Sequence, residues 1–107
     1  MIEVRRFVTE SGVDVLGQWL GKLNDNRARA RINARIARIA VGNFGDCKSV
    51  GHGVLELRID YGPGYRVYWA RIGLSIVLLL GGGDKRRQQA DIDQAIAFLH
   101  DYRMRNL

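Results

Sequence analysis

The chain has 107 residues, 47% of them hydrophobic, and 17 Lys and Arg against 11 Asp and Glu give it a formal net charge of +6. That length suits one domain with one core. A basic balance carried mostly by arginine points to nucleic acid or an acidic protein partner, with a merely solvated basic surface as the plain alternative.

Cys47 is the one cysteine, which excludes an internal disulfide and a cysteine-based zinc site and fits a reducing compartment. No apolar segment follows Met1 as a secretory signal requires, and the longest apolar run, residues 76–80, is too short for a bilayer. A cytoplasmic protein with no membrane contact is expected.

Taken in order, residues 2–8 alternate weakly and predict a strand. Ser11 is an N-cap candidate, with Asp14 three residues on. Val15, Leu16, Trp19, Leu20 and Leu23 then fall at helical spacing. Gly17 and Gly21 each weaken that helix by about 1 kcal/mol relative to alanine, or let another element come close. Asn24, Asp25 and Asn26 form a turn and cap before a second helix over 27–41. Ile32, Ile36, Ile39 and Ala40 make its buried stripe, and Arg27, Arg31, Arg35 and Arg38 a basic ridge. Such a ridge needs no cause beyond a wet helix face, although its field also steers a polyanion. The two helices read as an αα-hairpin. Gly42 stands where a C′ glycine belongs.

Residues 48–53, with Lys48 and His52, read as a glycine-flanked loop. It is either a ligand contact or an ordinary connection. Residues 53–69 are the centre of the chain. Val54, Leu55, Leu57 and Ile59 supply one strand, Val67 and Trp69 the next, and Tyr61-Gly62-Pro63-Gly64-Tyr65 turns between them. Arg58 and Arg66 flank the turn, with Tyr65 and Tyr68 beside the second arginine. Two arginines and two tyrosines on adjacent strands suit one phosphate and one base. Residues 71–74 turn the chain again, and 75–80 read as a central strand ended by Gly81-Gly82-Gly83. Those glycines, before Asp84, Lys85, Arg86 and Arg87, either admit a nucleic-acid backbone or form a plain exit loop. A last helix over 88–103 carries Ile92, Ala95, Ile96, Leu99 and Tyr102 on one face. The expected order is β-α-α-β-β-β-α, an α+β domain over 1–107 with a small sheet, an N-terminal helical hairpin and a C-terminal helix packed on it.

The combination of Leu55-Glu56-Leu57-Arg58-Ile59, Tyr61-Gly62-Pro63-Gly64-Tyr65-Arg66-Val67-Tyr68 and Gly82-Gly83-Asp84-Lys85, with Gln88, resembles the HigB-like killer proteins of the RelE/ParE toxin superfamily. The resemblance covers nearly the whole chain. It implies a RelE/ParE-like sheet and the toxin of a type II toxin-antitoxin pair. It implies a ribosome-dependent mRNA endonuclease that inhibits translation, masked by a HigA-type helix-turn-helix antitoxin. The ParE branch implies the alternative of a gyrase inhibitor without nuclease activity; a non-catalytic basic binding module is the third reading.

Cleavage of RNA by 2′-OH attack needs no metal, and no His/Asp/Glu cluster shows ligand spacing. No cofactor is expected. By the resemblance, Arg58 and Arg66 are the phosphate clamp and Lys85 the charge stabiliser or proton donor. Lys48, His52, Tyr65, Tyr68, Asp84 and Arg86 are the supporting candidates. His52 has the residue type suited to proton transfer. The chain departs from the family at its end. Where RelE-type enzymes place a tyrosine in the site, Tyr102 spaces onto a buried helix face. His100 is the late histidine, and Asp84 the candidate stand-in for the carboxylate of HigB enzymes.

Overall fold

The first helix starts later than the Ser11 cap predicts. In the computed structural model, which describes residues 2–107, Thr9 to Gly12 form a tight turn, and Val8 bridges back to Asp14. Ser11 meets only the Thr9 hydroxyl, and Asp14 is the cap, accepting from the Gly17 N–H at 3.1 Å. Helix α1 then spans Val15–Lys22. Helix α2, Asn26–Ile39, is capped by Asp25, which accepts from the N–H groups of Arg27 and Ala28 at 3.0 and 3.1 Å. Asp25→Ala is expected to cost about 1 kcal/mol, seen as a lower urea midpoint. Gly42, at φ +81°, closes α2 with a Schellman pair: Asn43 N–H to Arg38 O and Gly42 N–H to Ile39 O. Arg29 ties the helical hairpin together, donating to the Leu20 and Leu23 carbonyls at the end of α1.

Five strands follow this frame: β1 Glu3–Arg6, β2 Cys47–Gly51, β3 Val54–Ile59, β4 Tyr65–Ile72 and β5 Ile76–Asp84. They form one mixed sheet in the order β1-β5-β4-β3-β2, with β1 parallel to β5 and the other pairs antiparallel. A short 3₁₀ turn, Lys85–Arg87, leads into helix α3, Gln88–Arg105. The chain is thus an α+β domain with one strand more than the sequence predicts. Residues 48–51, expected as loop, belong to edge strand β2 and pair with β3. Arg71 and Ile72, expected in a turn, still pair in β4.

The strand alternation splits the core between the two faces of the sheet. Leu57, Ile59, Tyr65, Val67, Trp69, Val77 and Leu79 pack under α1 and α2. Val54, Tyr68, Ala70, Leu78 and Leu80 pack with Phe7 under α3. Among the described residues no helix is long and apolar enough to cross a membrane.

The glycine run is not an exit loop. Residues 81–83 continue β5 and pair with β4. A Cβ on Gly82 would lie 2.4 Å from the Trp19 ring of α1, and one on Gly83 1.9 Å from Asp91 Oδ2 of α3. The space expected for a nucleic-acid backbone is filled by the two flanking helices.

Candidate functional site

Arg58 of β3 and Arg66 of β4 are cross-strand partners, so both lie on the α3 face of the sheet. Helix α3 covers that face from Val54 to Leu80 but leaves the Arg58–Arg66 corner open. Lys85 arrives there because the 3₁₀ turn follows directly on β5. The result is a cleft of about 340 Å³ lined by Asp46, Arg58, Asp60, Gly64, Arg66 and Lys85, with Ile59 at its wall.

Arg66 is the most fixed of the three cations. Its side chain is 11% exposed; Nη1 donates to the Gly64 carbonyl at 2.7 Å, and Nε lies 3.5 Å from Glu56 Oε2. That last pair is an ion pair by distance but falls outside hydrogen-bond geometry, since Nε has no acceptor. Glu56 is wholly buried. Its Oε2 accepts from Gln88 Nε2 at 2.8 Å and Tyr68 OH at 3.3 Å. One buried carboxylate therefore joins the second clamp arginine to the start of α3. Arg58 is held differently. Its guanidinium meets Asp46 at 3.2 Å, and its carbonyl accepts from Arg35 Nη1 at 2.8 Å. Arg35 also donates to the Phe44 carbonyl, so α2 pins both the end of β3 and the segment before Asp46.

The supporting candidates divide. Lys48 is exposed on β2, opposite Glu56 in register and on the same face, outside the cleft lining. Tyr65 and Tyr68 lie on opposite faces, each under a helix. Tyr65 meets Trp19 edge-on, with ring centroids 6.1 Å apart, and Tyr68 is spent on Glu56. Neither ring is free to stack on a base, which corrects that expectation. Burial pushes both phenols up, with nearby carboxylates adding to it, Glu56 in the case of Tyr68.

Asp84 caps the 3₁₀ turn, accepting from the Arg86 N–H at 2.9 Å and pairing with its guanidinium at 2.7 Å. That hydrogen-bonded arginine holds the Asp84 carboxyl below its usual range. Asp84 is thus occupied, and the free carboxylates of the cleft are Asp60 and the outer oxygen of Asp46. Arg86 points to solvent. His52 lies in the β2–β3 turn, at the opposite end of the strands from Arg58; about 13 Å of strand separates Val54 from Arg58. His52 and the cleft are therefore apart, which corrects the expectation of His52 as a supporting proton-transfer residue there. His100 sits beside His52. Tyr102 is half-buried against the α3-side core, as its spacing implies.

Sequence reasoning assigned no role to Glu56, Asp46 or Gln88, and it placed Arg35 in the basic ridge of the second helix, where the structure instead turns it onto the Arg58 and Phe44 carbonyls. Glu56 carried a signal: it stands in period with Arg58 inside an otherwise apolar strand, where a carboxylate requires a partner. Among the described residues no group of three or more His, Cys, Asp or Glu is placed to hold a metal ion.

Fold and site together define a small α+β domain whose sheet presents an arginine- and lysine-lined cleft beside its last helix. No family model matches the chain. An uncharacterized protein of Haemophilus influenzae is 58% identical over 77 residues, covering 72% of this chain and 78% of the relative. The chain belongs to the same family as that protein.

Proposed function

We propose that this chain is the toxin of a type II toxin-antitoxin pair, built on a RelE/ParE-like fold, and that it cuts messenger RNA on the ribosome. The observation that carries this reading is the convergence of Arg58, Arg66 and Lys85, from three chain segments, on one open cleft. Three cations at an open site match a phosphodiester, and arginine forks bind phosphoryl oxygens in two places at once.

The chemistry follows from that placement. The RNA 2′-OH attacks the adjacent phosphorus in line, leaving a 2′,3′-cyclic phosphate and a 5′-hydroxyl. Arg66, fixed by Gly64 and Glu56, holds one phosphoryl oxygen and stabilises charge that grows on it. Arg58 closes the other side once its Asp46 contact is exchanged for phosphate. Lys85 gives a proton to the leaving 5′-oxygen, and Asp60 or Asp46 takes that of the 2′-OH. A HigA-type antitoxin would cover the basic cleft and the α2 ridge.

Expression of the wild-type chain without its antitoxin is expected to stop translation and leave transcripts with new 5′ ends at defined positions, mapped by 5′-end sequencing. Arg66→Ala is expected to lower cleavage at least 100-fold, on the scale of losing one transition-state charge donor. Intact transcripts with DNA damage would move the assignment to a gyrase inhibitor. Unimpaired growth under wild-type expression would leave a non-catalytic basic module.

A further inference from the structure

The end of the sheet away from the Arg66 cleft carries a second recess. There the β2–β3 turn meets the last turns of α3, and His52, Ile96, Leu99, His100 and Arg103 line an opening of about 370 Å³. Leu99 is buried and forms the floor with Ile96. The three polar side chains stand at the mouth, and no carboxylate lines it. The neighbouring acid on α3, Asp101, is paired with Arg105 at 3.1 Å. Among the described residues, the side chains of His52, His100 and Arg103 make no hydrogen bond or ion pair.

The turn itself is unusual. Gly51 pairs with Val54, so His52 and Gly53 are the two residues of a hairpin loop, with φ of 55° and 85°. Such loops favour Asn-Gly or Gly-Gly. Among the described residues His52 is the one non-glycine residue in the left-handed region. His52 takes that conformation as the first residue of the two-residue turn, which brings its imidazole beside the end of α3. Gly53 belongs to the same arrangement: a Cβ there would lie 3.3 Å from Arg103 Nη2, so its absence leaves room for the guanidinium beside the turn.

We infer that this recess is a second binding site, separate from the Arg66 cleft, for a phosphoryl group. Arg103 supplies a planar fork of donors, and the two imidazoles add N–H donors from either side. With no carboxylate at the mouth, an anion entering meets attraction alone. The Ile96–Leu99 floor receives the apolar side of whatever carries the phosphate, such as a ribose or base. The phosphate belongs either to a small molecule or to an RNA strand that also passes the Arg66 cleft.

The chain has two histidines, and both are here, so imidazole NMR signals report this site alone. Inorganic phosphate, titrated at fixed pH and ionic strength, is expected to move both signals along one saturating curve. Arg103→Gln, at an exposed position that the fold does not need, is expected to weaken that binding about tenfold, the loss of one charge-assisted contact. Lys85→Ala, which changes an exposed side chain of the other cleft, is expected to leave the curve unchanged. A ten-nucleotide RNA that saturates at lower concentration than phosphate identifies a strand as the source; equal or weaker binding identifies a small phosphate. Unmoved signals, movement of one histidine only, an unchanged curve in Arg103→Gln, or a curve abolished by Lys85→Ala would each overturn the site. None of these readouts depends on cleavage, so intact transcripts would defeat the endonuclease reading and leave this result standing.

Discussion

Glu56→Ala is expected to destabilise the fold by about 3–5 kcal/mol, the scale for leaving one partner of a buried charge pair alone. Glu56 has no exposed surface, and the Arg66 side chain beside it is 11% exposed. Removing the carboxylate strands three groups at once: the Arg66 guanidinium, Gln88 Nε2 and Tyr68 OH. Gln88 and Tyr68 each lose an acceptor and Arg66 loses its counter-charge, in a place that water enters poorly. Because small domains have about 5–15 kcal/mol in all, such a loss takes a large share of the total. The urea midpoint should fall by about 1 M or more, given slopes of about 1–3 kcal/mol per molar.

Glu56→Gln separates structure from positioning. It keeps an oxygen for Gln88 and Tyr68 but removes the charge facing Arg66. A folded protein with a smaller midpoint shift and a weakened Arg66 clamp is expected, read as lost RNA cleavage in a protein that still unfolds cooperatively. A Glu56→Ala midpoint equal to wild type would show that the network does not hold the sheet to α3.

How far the sequence reached depends on which signals side chains can carry. Strands β3 and β4 were legible because apolar residues alternate along them and a glycine-proline turn joins them. Their positions on either side of that turn also put Arg58 and Arg66 on adjacent strands, and the Asn24-Asp25-Asn26 cap divided the two helices. Strand β2 was not legible. It is an edge strand whose only apolar positions are Cys47 and Val50, and its lysine, serine and glycine read as loop chemistry. The end of β5 was hidden for another reason: glycines have no side chains, so residues 81–83 carry no periodicity. Tyr65 and Tyr68 were misread because residues three apart in a strand face opposite sides, and each side is roofed by a helix. Which part of a sheet face a helix leaves open is a matter of docking, and no local pattern encodes it. That decided which cations share a cleft and sent His52 to the far end.

Gly82→Ala is the sharpest test of that docking. The added methyl would lie 2.4 Å from the Trp19 ring and 3.0 Å from the Arg66 carbonyl oxygen. The carbonyl is fixed by the sheet, so the ring must give way. Trp19 in turn leans on Tyr65, and the displacement spreads into the α1 side of the core. Overpacking of this kind costs about 1–3 kcal/mol, and the upper end is expected because ring and backbone close on the methyl from two sides. Gly21→Ala makes the same chemical change in α1, where a Cβ meets nothing within 4 Å. There the sign reverses, with a gain of up to about 1 kcal/mol from helix propensity. Urea midpoints moving in opposite directions would show that Gly82 is there to let α1 approach the sheet. A Gly82→Ala midpoint at or above wild type would mean that α1 does not press on β5, and the run Gly81-Gly82-Gly83 would again be open for a ligand backbone.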